Sequence, residues 1–309
     1  MWFFFALAAT LAWGAADLFY KKGANESDRY SHLKTAICVG AVMGLHALYL
    51  LLFRIPEYNF LNLLIYLPVS LMYILSMVIG YLGLRYLELS VSSPVQNASG
   101  AVAFLLTLLF LGEMTDLPTT AAIICILVGV FLLGYFEKKK QDAYVAAHDR
   151  KYKIGFVAFF LPILYCIIDA LGTFFDAYYT DDVNTTFLRG VTEDNFEDVA
   201  NASYELTFLF VAVCLLVYLV AIKKQKFDLF EQKDRTVAAL FETGGQLAYI
   251  YAIVANALVA IPMISAYCMV SVLLSRVFLR ERLERRQYVA VAVVILGIVG
   301  LGVLEGLGG

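Results

Sequence analysis

Charge is what this sequence has least of. Asp, Glu, Lys and Arg make up 16% of its 309 residues, against roughly 25% in a soluble domain. Histidine is scarcer still: His32, His46 and His148 are scattered, which leaves no histidine-based metal or nucleophile site to assemble. The five cysteines (Cys38, Cys125, Cys166, Cys214 and Cys268) all fall inside apolar runs without CxxC spacing. They read as small packing residues rather than disulfide partners or metal ligands. HExxH, GxGD and a phosphate-binding loop are missing too, which argues against an intramembrane protease and against ATP-driven pumping by this chain alone. No basic segment precedes the apolar N-terminus MWFFFALAATLAWGAA, which runs on for about 19 residues, so it reads as a first span rather than a cleaved signal. No enzymatic activity, metal, cofactor or nucleic-acid partner is expected.

What the sequence does have is apolar length. It is 61% hydrophobic with a mean hydropathy of +0.78, where a soluble domain carries about 45–50% apolar residues. Ten apolar segments lie near 2–20, 35–53, 61–81, 90–112, 118–136, 154–177, 204–222, 236–256, 260–280 and 287–304. Each is long enough to cross ~30 Å of hydrocarbon at 1.5 Å per residue. Lipid offers the backbone no hydrogen-bond partner, so these spans are helices, and the lipid bilayer is the first partner. The expected fold is an all-α membrane protein of ten transmembrane helices.

The stretch VSSPVQNASGAVAFLLTLLFLGE at 91–113 has an echo 168 positions later, VAIPMISAYCMVSVLLSRVFLRE at 259–281. Pro94 falls on Pro262, Ala98 on Ala266, the Leu and Phe-Leu pairs coincide, and Glu113 falls on Glu281. A weaker echo links Trp13-x3-Asp17 with Tyr165-x3-Asp169. The chain therefore divides into a first five-helix repeat at 1–137, a basic linker at 138–153, and a second repeat at 154–309 that carries an acidic loop at 178–203. Because five is odd, the two repeats must be inverted relative to one another, the plan of many secondary transporters. Of the 23 Lys and Arg residues, 21 fall on the loops after spans 1, 3, 5, 7 and 9, and only Arg54 and Arg189 lie on the other side. The positive-inside rule then makes the linker cytoplasmic and places both termini and the acidic loop outside.

Two five-span halves, each with a proline early in its fourth span and a run ending in Glu (Pro94…Gly112-Glu113 and Pro262…Arg280-Glu281), resemble the EamA-type transporters of the drug/metabolite superfamily. The Trp13-Gly14 pair and the glycines of the last span (Gly297, Gly300, Gly302) resemble that family as well. The resemblance covers nearly the whole chain. It implies a ten-helix bundle with a central cavity, working by alternating access in the plasma membrane as a monomer or homodimer. Family members move amino acids, amines, nucleotide sugars and other small metabolites, often outward and often against protons. One departure is the orientation, since the family's termini are expected in the cytoplasm.

Ionisable groups inside hydrocarbon are costly and mark function by default. Glu242 lies about six residues into span 8, ~9 Å from its inner end, with Gln246 one turn on and Gly244-Gly245 between them. The repeat places Ile74 at its counterpart, so shared packing does not require the charge. Asp169 sits ~18 Å from the inner end of span 6, too deep for a short side chain to reach water. Both are candidates to bind substrate or exchange protons. The rival readings are an interfacial ion pair for Glu242 and a structural hydrogen bond for Asp169. Asp17 is only about a turn from the end of span 1, where an ion pair with Lys21 at i+4 is the better reading, and Asp176 reads as interfacial. His46, mid-span, is a proton relay or a histidine bonded to a neighbouring Ser or carbonyl. Gln96, Asn97 and the serines around the helix break at Pro94, matched by Pro262, line a substrate site or mediate packing. Tyr249, Tyr251 and Tyr267 offer aromatic walls for an organic cation, and Trp13 joins the candidates for the cavity. Glu113 and Glu281 read as structural, holding loops or pairing with arginines such as Arg282.

The function expected from these features is secondary transport of a small polar metabolite, organic amine or amino acid, coupled to protons. The rival is a flippase for a lipid-linked or phosphorylated substrate on the same fold. That activity needs a basic headgroup site, whereas the deep charges here are acidic.

Overall fold

Every regular element among the described residues is helical, as a backbone without water requires. The computed structural model describes residues 1–25, 27–112, 115–147, 152–281 and 283–308, and of residues 91, 137–147, 152–159 and 305–308 the backbone alone. Glu113, Arg282 and residues 148–151 of the basic linker lie outside the described residues. In chain order the helices are α1 (Trp2–Gly23), α2 (Ser31–Phe53), the single turn α3 (Asn62–Ile65), α4 (Leu67–Gly83), α5 (Leu89–Asn97) and α6 (Ser99–Phe110). They continue as α7 (Leu117–Ala147), α8 (Tyr152–Tyr179), α9 (Phe196–Val217), α10 (Lys233–Ser265), α11 (Tyr267–Leu274) and α12 (Arg285–Gly308). Helix α9 starts at Phe196, so the acidic loop expected at 178–203 is shorter, and its Asp198 forms an ion pair with Arg54 at 3.0 Å.

Among the described residues, eight helical runs are long and apolar enough to cross a membrane, with Leu67–Gly83 as a shorter apolar helix. One run, Phe230–Leu279, is 50 residues long. As a straight helix it would extend about 75 Å, more than twice the hydrocarbon core. Asn256 interrupts it with extended backbone (φ −169°, ψ 82°), and its side chain accepts the Val259 amide at 3.3 Å, the geometry of a helix N-cap. Glu88 has an equally extended backbone (φ −63°, ψ 150°) where α5 begins. The Glu281 carboxylate reaches across to accept the amides of Leu89 and Ser90 at 3.1 and 3.0 Å. Those are orphan donors of the first turn of α5, so Glu281 holds a helix start. Gly112 and Arg280 both take left-handed backbone (φ 70° and 59°) where α6 and the π-turn after α11 end.

The helices pair off: α1 lies along α10, α2 along α9, α4 along α8, and α7 along α12. Gly40 and Gly44 let α2 close onto α9, since a Cβ at Gly40 would strike the Phe208 carbonyl and the Ala212 methyl. Two apolar cores result. One gathers α6, α7, α11, α12, the start of α1 and the end of α10. The other gathers α2, α4, α9, the end of α1 and the start of α10. Large apolar side chains such as Phe4, Leu45, Leu109, Phe131 and Leu296 cover the outside, as a lipid-facing surface requires.

The connecting segments sort between the two ends. At one end Lys21 donates to the carbonyls of Leu84 and Leu87 (2.8 and 2.6 Å), Arg85 to those of Asn25 and Arg29, and Arg235 to the Ser31 hydroxyl. At the far end of α2 the Asn62 amide brackets the backbone of Arg189, and Tyr58 bonds Ser203 at 2.7 Å.

Candidate functional site

Side chains spaced three and four apart share one helix face, and four such stripes meet where the two cores join. Helix α1 contributes Trp13, Asp17 and Tyr20; α10 contributes Glu242, Gln246 and Tyr249; α8 contributes Tyr165, Asp169 and Thr173; α4 contributes Tyr73, Met77 and Tyr81. The stretch around the α5–α6 junction adds Gln96, Asn97, Ser99 and Gly100, and the α10–α11 junction adds Ser265 and Tyr267. Together they enclose a cavity of about 80 Å³. Ligand pockets typically measure roughly 300–1,000 Å³, so the space is narrow.

Three carboxylates face this space, and their hydrogen-bond partners are hydroxyls. Asp17 Oδ2 accepts from Ser93 at 2.6 Å and Ser271 at 2.7 Å. Asp169 accepts from Ser99 at 2.7 Å and Ser76 at 3.3 Å. Glu242 Oε2 accepts from Tyr20 at 3.1 Å, and its backbone carbonyl accepts from the Trp13 indole at 3.3 Å. Among the described residues, no Lys, Arg or His lines the cavity. Buried carboxylates are expensive unless they are hydrogen-bonded or paired, and here the hydroxyls supply the hydrogen bonds.

The walls are aromatic. Trp13 lies between Tyr249 and Tyr267, with ring centroids 5.2 and 5.8 Å away. Gly245 makes the first contact possible, because a Cβ there would collide with the indole. Gly244, by contrast, is exposed and faces away. The Tyr73 and Tyr249 hydroxyls bond each other at 2.8 Å. Asn97 donates back to Ser93, while the buried Gln96 amide nitrogen has no hydrogen-bond partner.

Several residues stand elsewhere than the sequence led us to expect. Asp17 makes no interfacial pair with Lys21. Two serines from α5 and α11 draw it inward, and the Lys21 ammonium turns to loop carbonyls. Its relation to Asp169 in the internal echo was the signal for this role. His46 is not at the cavity: its Nδ1 lies 2.8 Å from Glu205 on the seam between α2 and α9. Glu205 stands at the edge of the apolar segment near 204–222, whereas α9 begins at Phe196 and buries it completely. Pro94 and Pro262 sit inside helices, and the chain breaks four residues later, at Ala98 and Ala266. Neither proline lines the cavity. Tyr251 stacks on Phe5 instead. Asp176, two turns beyond Asp169, is fully buried and accepts the Tyr66 hydroxyl, so it is not interfacial.

Fold and site together define a multi-pass membrane protein built around an acidic, aromatic-walled cavity. The chain belongs to the EamA-like transporter family, whose sequence profile matches residues 1–135 and 183–303. It is thus a membrane transporter of the drug/metabolite superfamily, a family of transporters rather than enzymes. One solved crystal structure, titled only as that of a protein, aligns with a TM-score of 0.62 over 98% of this chain and 96% of its own. At 14% identity that likeness is one of fold. None of the curated proteins matches the sequence.

Proposed function

We propose that this protein is a secondary transporter that moves a small polar metabolite or organic amine by alternating access, exchanging it against protons. Glu242 and Asp169 bind the substrate and the coupling proton, and Asp17 acts with them. Gln246, Gln96, Asn97, Trp13, Tyr249 and Tyr267 shape the site. The observation that carries this reading is the convergence of three carboxylates on one cavity that no Lys, Arg or His lines among the described residues. A group that alternately holds a proton and a cation must sit where neither is permanently supplied by the protein.

The proposed architecture is ten crossings in two inverted five-helix repeats, in the plasma membrane with both termini outside. Three backbone irregularities support the repeat, because the 168-residue shift relates each pair. Extended Glu88 corresponds to Asn256, the Ala98 junction to Ala266, and left-handed Gly112 to Arg280. The cavity supports it too: Trp13 and Tyr165, Asp17 and Asp169, and Tyr81 and Tyr249 are counterparts that all line it. The break at Asn256 turns one 50-residue run into two helices, which makes nine crossings of the eight runs, and α3–α4 supplies the tenth.

The test begins with thermal unfolding of the purified protein against amines, amino acids, nucleotide sugars and polyprenyl phosphates, since a ligand bound by the folded state raises the midpoint. Flux of the ligand so found is then measured in proteoliposomes. Flux that persists unchanged in both Glu242→Gln and Asp169→Asn would remove the carboxylates from the mechanism. A midpoint shift with polyprenyl phosphates alone would replace the metabolite by a lipid.

A further inference from the structure

We infer that the cargo is an organic amine that bears no carboxylate, so that an amine is taken and the amino acid from which it would arise by decarboxylation is refused. This rests on the reading of the cavity as the transport site and goes beyond it, because amines and amino acids are otherwise equally small and polar.

The argument is one of charge inventory. A zwitterionic amino acid brings an ammonium and a carboxylate within a few bonds of each other, and a site for it must satisfy both. The ammonium has three carboxylates to choose from and aromatic faces beside them, since Trp13, Tyr249 and Tyr267 form a continuous wall. The α-carboxylate has no cationic receptor. No Lys, Arg or His lines the cavity among the described residues. At one end of the bundle Lys21 and Arg85 donate to loop carbonyls, and Arg235 to Gln232 and Ser31.

Helix N-termini are the other common receptor for a carboxylate. Helix α6 begins at Ser99, whose hydroxyl already donates to Asp169, and α11 presents Ser271 to Asp17. At the start of α6 and midway along α11, the hydroxyls that reach the cavity are therefore taken by the protein's own anions. One layer further along α8, Asp176 adds a fourth buried carboxylate among tyrosines. An incoming α-carboxylate would share its space with three carboxyl groups.

A second observation indicates what else the cargo carries. Gln96 is 5% exposed, lines the cavity, and leaves its amide nitrogen without a hydrogen-bond partner. A neutral donor held this way suits a hydroxyl or carbonyl oxygen on the same molecule, and it neutralises no charge. The cargo is thus an amine carrying a neutral oxygen, such as an amino alcohol or a phenolic amine.

The experiment uses pairs that differ by a single carboxylate, ethanolamine against serine and tyramine against tyrosine, on the full-length protein in lipid nanodiscs at pH 7.5. The readout is the unfolding midpoint as a function of ligand concentration, for wild type, Glu242→Gln, Asp169→Asn and Gln96→Leu. At least one amine is expected to bind about tenfold or more tightly than its carboxylated partner. That preference should weaken in either acidic-site variant, and binding of the hydroxylated amine should weaken in Gln96→Leu. Serine or tyrosine binding as tightly as the amine, with loss in Glu242→Gln, would overturn the proposal and leave the transport site standing. Absence of a shift with both amines overturns it as well. A shift that survives intact in both acidic-site variants places the ligand outside this cavity and overturns the functional reading with it. The unfolding transition of each variant reports directly that it folds.

Discussion

Asp17 shows how much a carboxylate's role depends on which hydroxyls reach it. In the sequence it stands one turn from Lys21, and helical spacing alone favours an ion pair. In the fold Ser93 and Ser271 arrive from helices 76 and 254 positions away, and the carboxylate turns to them. Asp17→Asn is expected to lower flux of the identified substrate by about tenfold or more, since a hydrogen bond to a charged group is worth roughly 1.5–3 kcal/mol. Lys21→Met should not, and equal effects in the two variants would return Asp17 to the interface. Glu242, Gln246, Asp169 and Asn97 were legible as cavity candidates because a polar group deep in an apolar run has no cheap alternative. His46 met the same criterion yet pairs with Glu205, because sequence cannot say which neighbour a helix face will meet. Arg280 carries a different cost. Its left-handed backbone (φ 59°) is one a side chain adopts reluctantly, whereas the other left-handed helix end is a glycine, Gly112 (φ 70°). Arg280→Gly is expected to stabilise the protein by about 1 kcal/mol, read as a higher unfolding midpoint.

The helices owe their existence to the solvent and their ends to particular residues. Apolar length located most of them, since lipid leaves the backbone no other partner. It erred at the edges, where polar residues extend a helix past its hydrophobic part. Helix α9 runs from Phe196 although the apolar run begins near 204, and that displacement is what buries Glu205. The α2–α9 seam depends on small residues. A side chain at Gly40 has no room beside the Phe208 carbonyl, and interfaces between membrane helices rely on such close approach. Gly40→Leu should therefore destabilise the protein by roughly 1–3 kcal/mol through overpacking, seen as a lower unfolding midpoint. A midpoint equal to that of the wild type would mean that α2 and α9 are not closely packed in the membrane.

For the whole molecule, the loops carry the information about orientation. The basic segments after α1 and α4 meet at one end of the bundle, and the Arg54–Asp198 and Asn62–Arg189 contacts close the other. With 21 of 23 basic residues on one set of loops, the proposed orientation puts that end in the cytoplasm. In a background lacking the five native cysteines, Asn59→Cys is expected to react with a membrane-impermeant maleimide on intact cells. Gln225→Cys should react only after permeabilisation. The reverse pattern would invert the topology and bring both termini inside. Two cores meet at the cavity, and a cavity of about 80 Å³ has to widen for any metabolite larger than a few waters. Relative movement of those two cores is the simplest way for it to do so.

The sequence by itself determined that the chain is a helical membrane protein and where most of its apolar helices lie, and it carries the same proline-to-glutamate spacing at 91–113 and 259–281. These follow from hydrophobicity and local backbone chemistry, which act between near neighbours and leave their mark along the chain. Only the tertiary structure decided that Asp17, Asp169 and Glu242 face one space, that Trp13 stands between two tyrosines, and that Glu281 starts a helix in the other half. Those outcomes depend on which faces of distant helices touch, and that is settled by packing across the bundle rather than by any local signal.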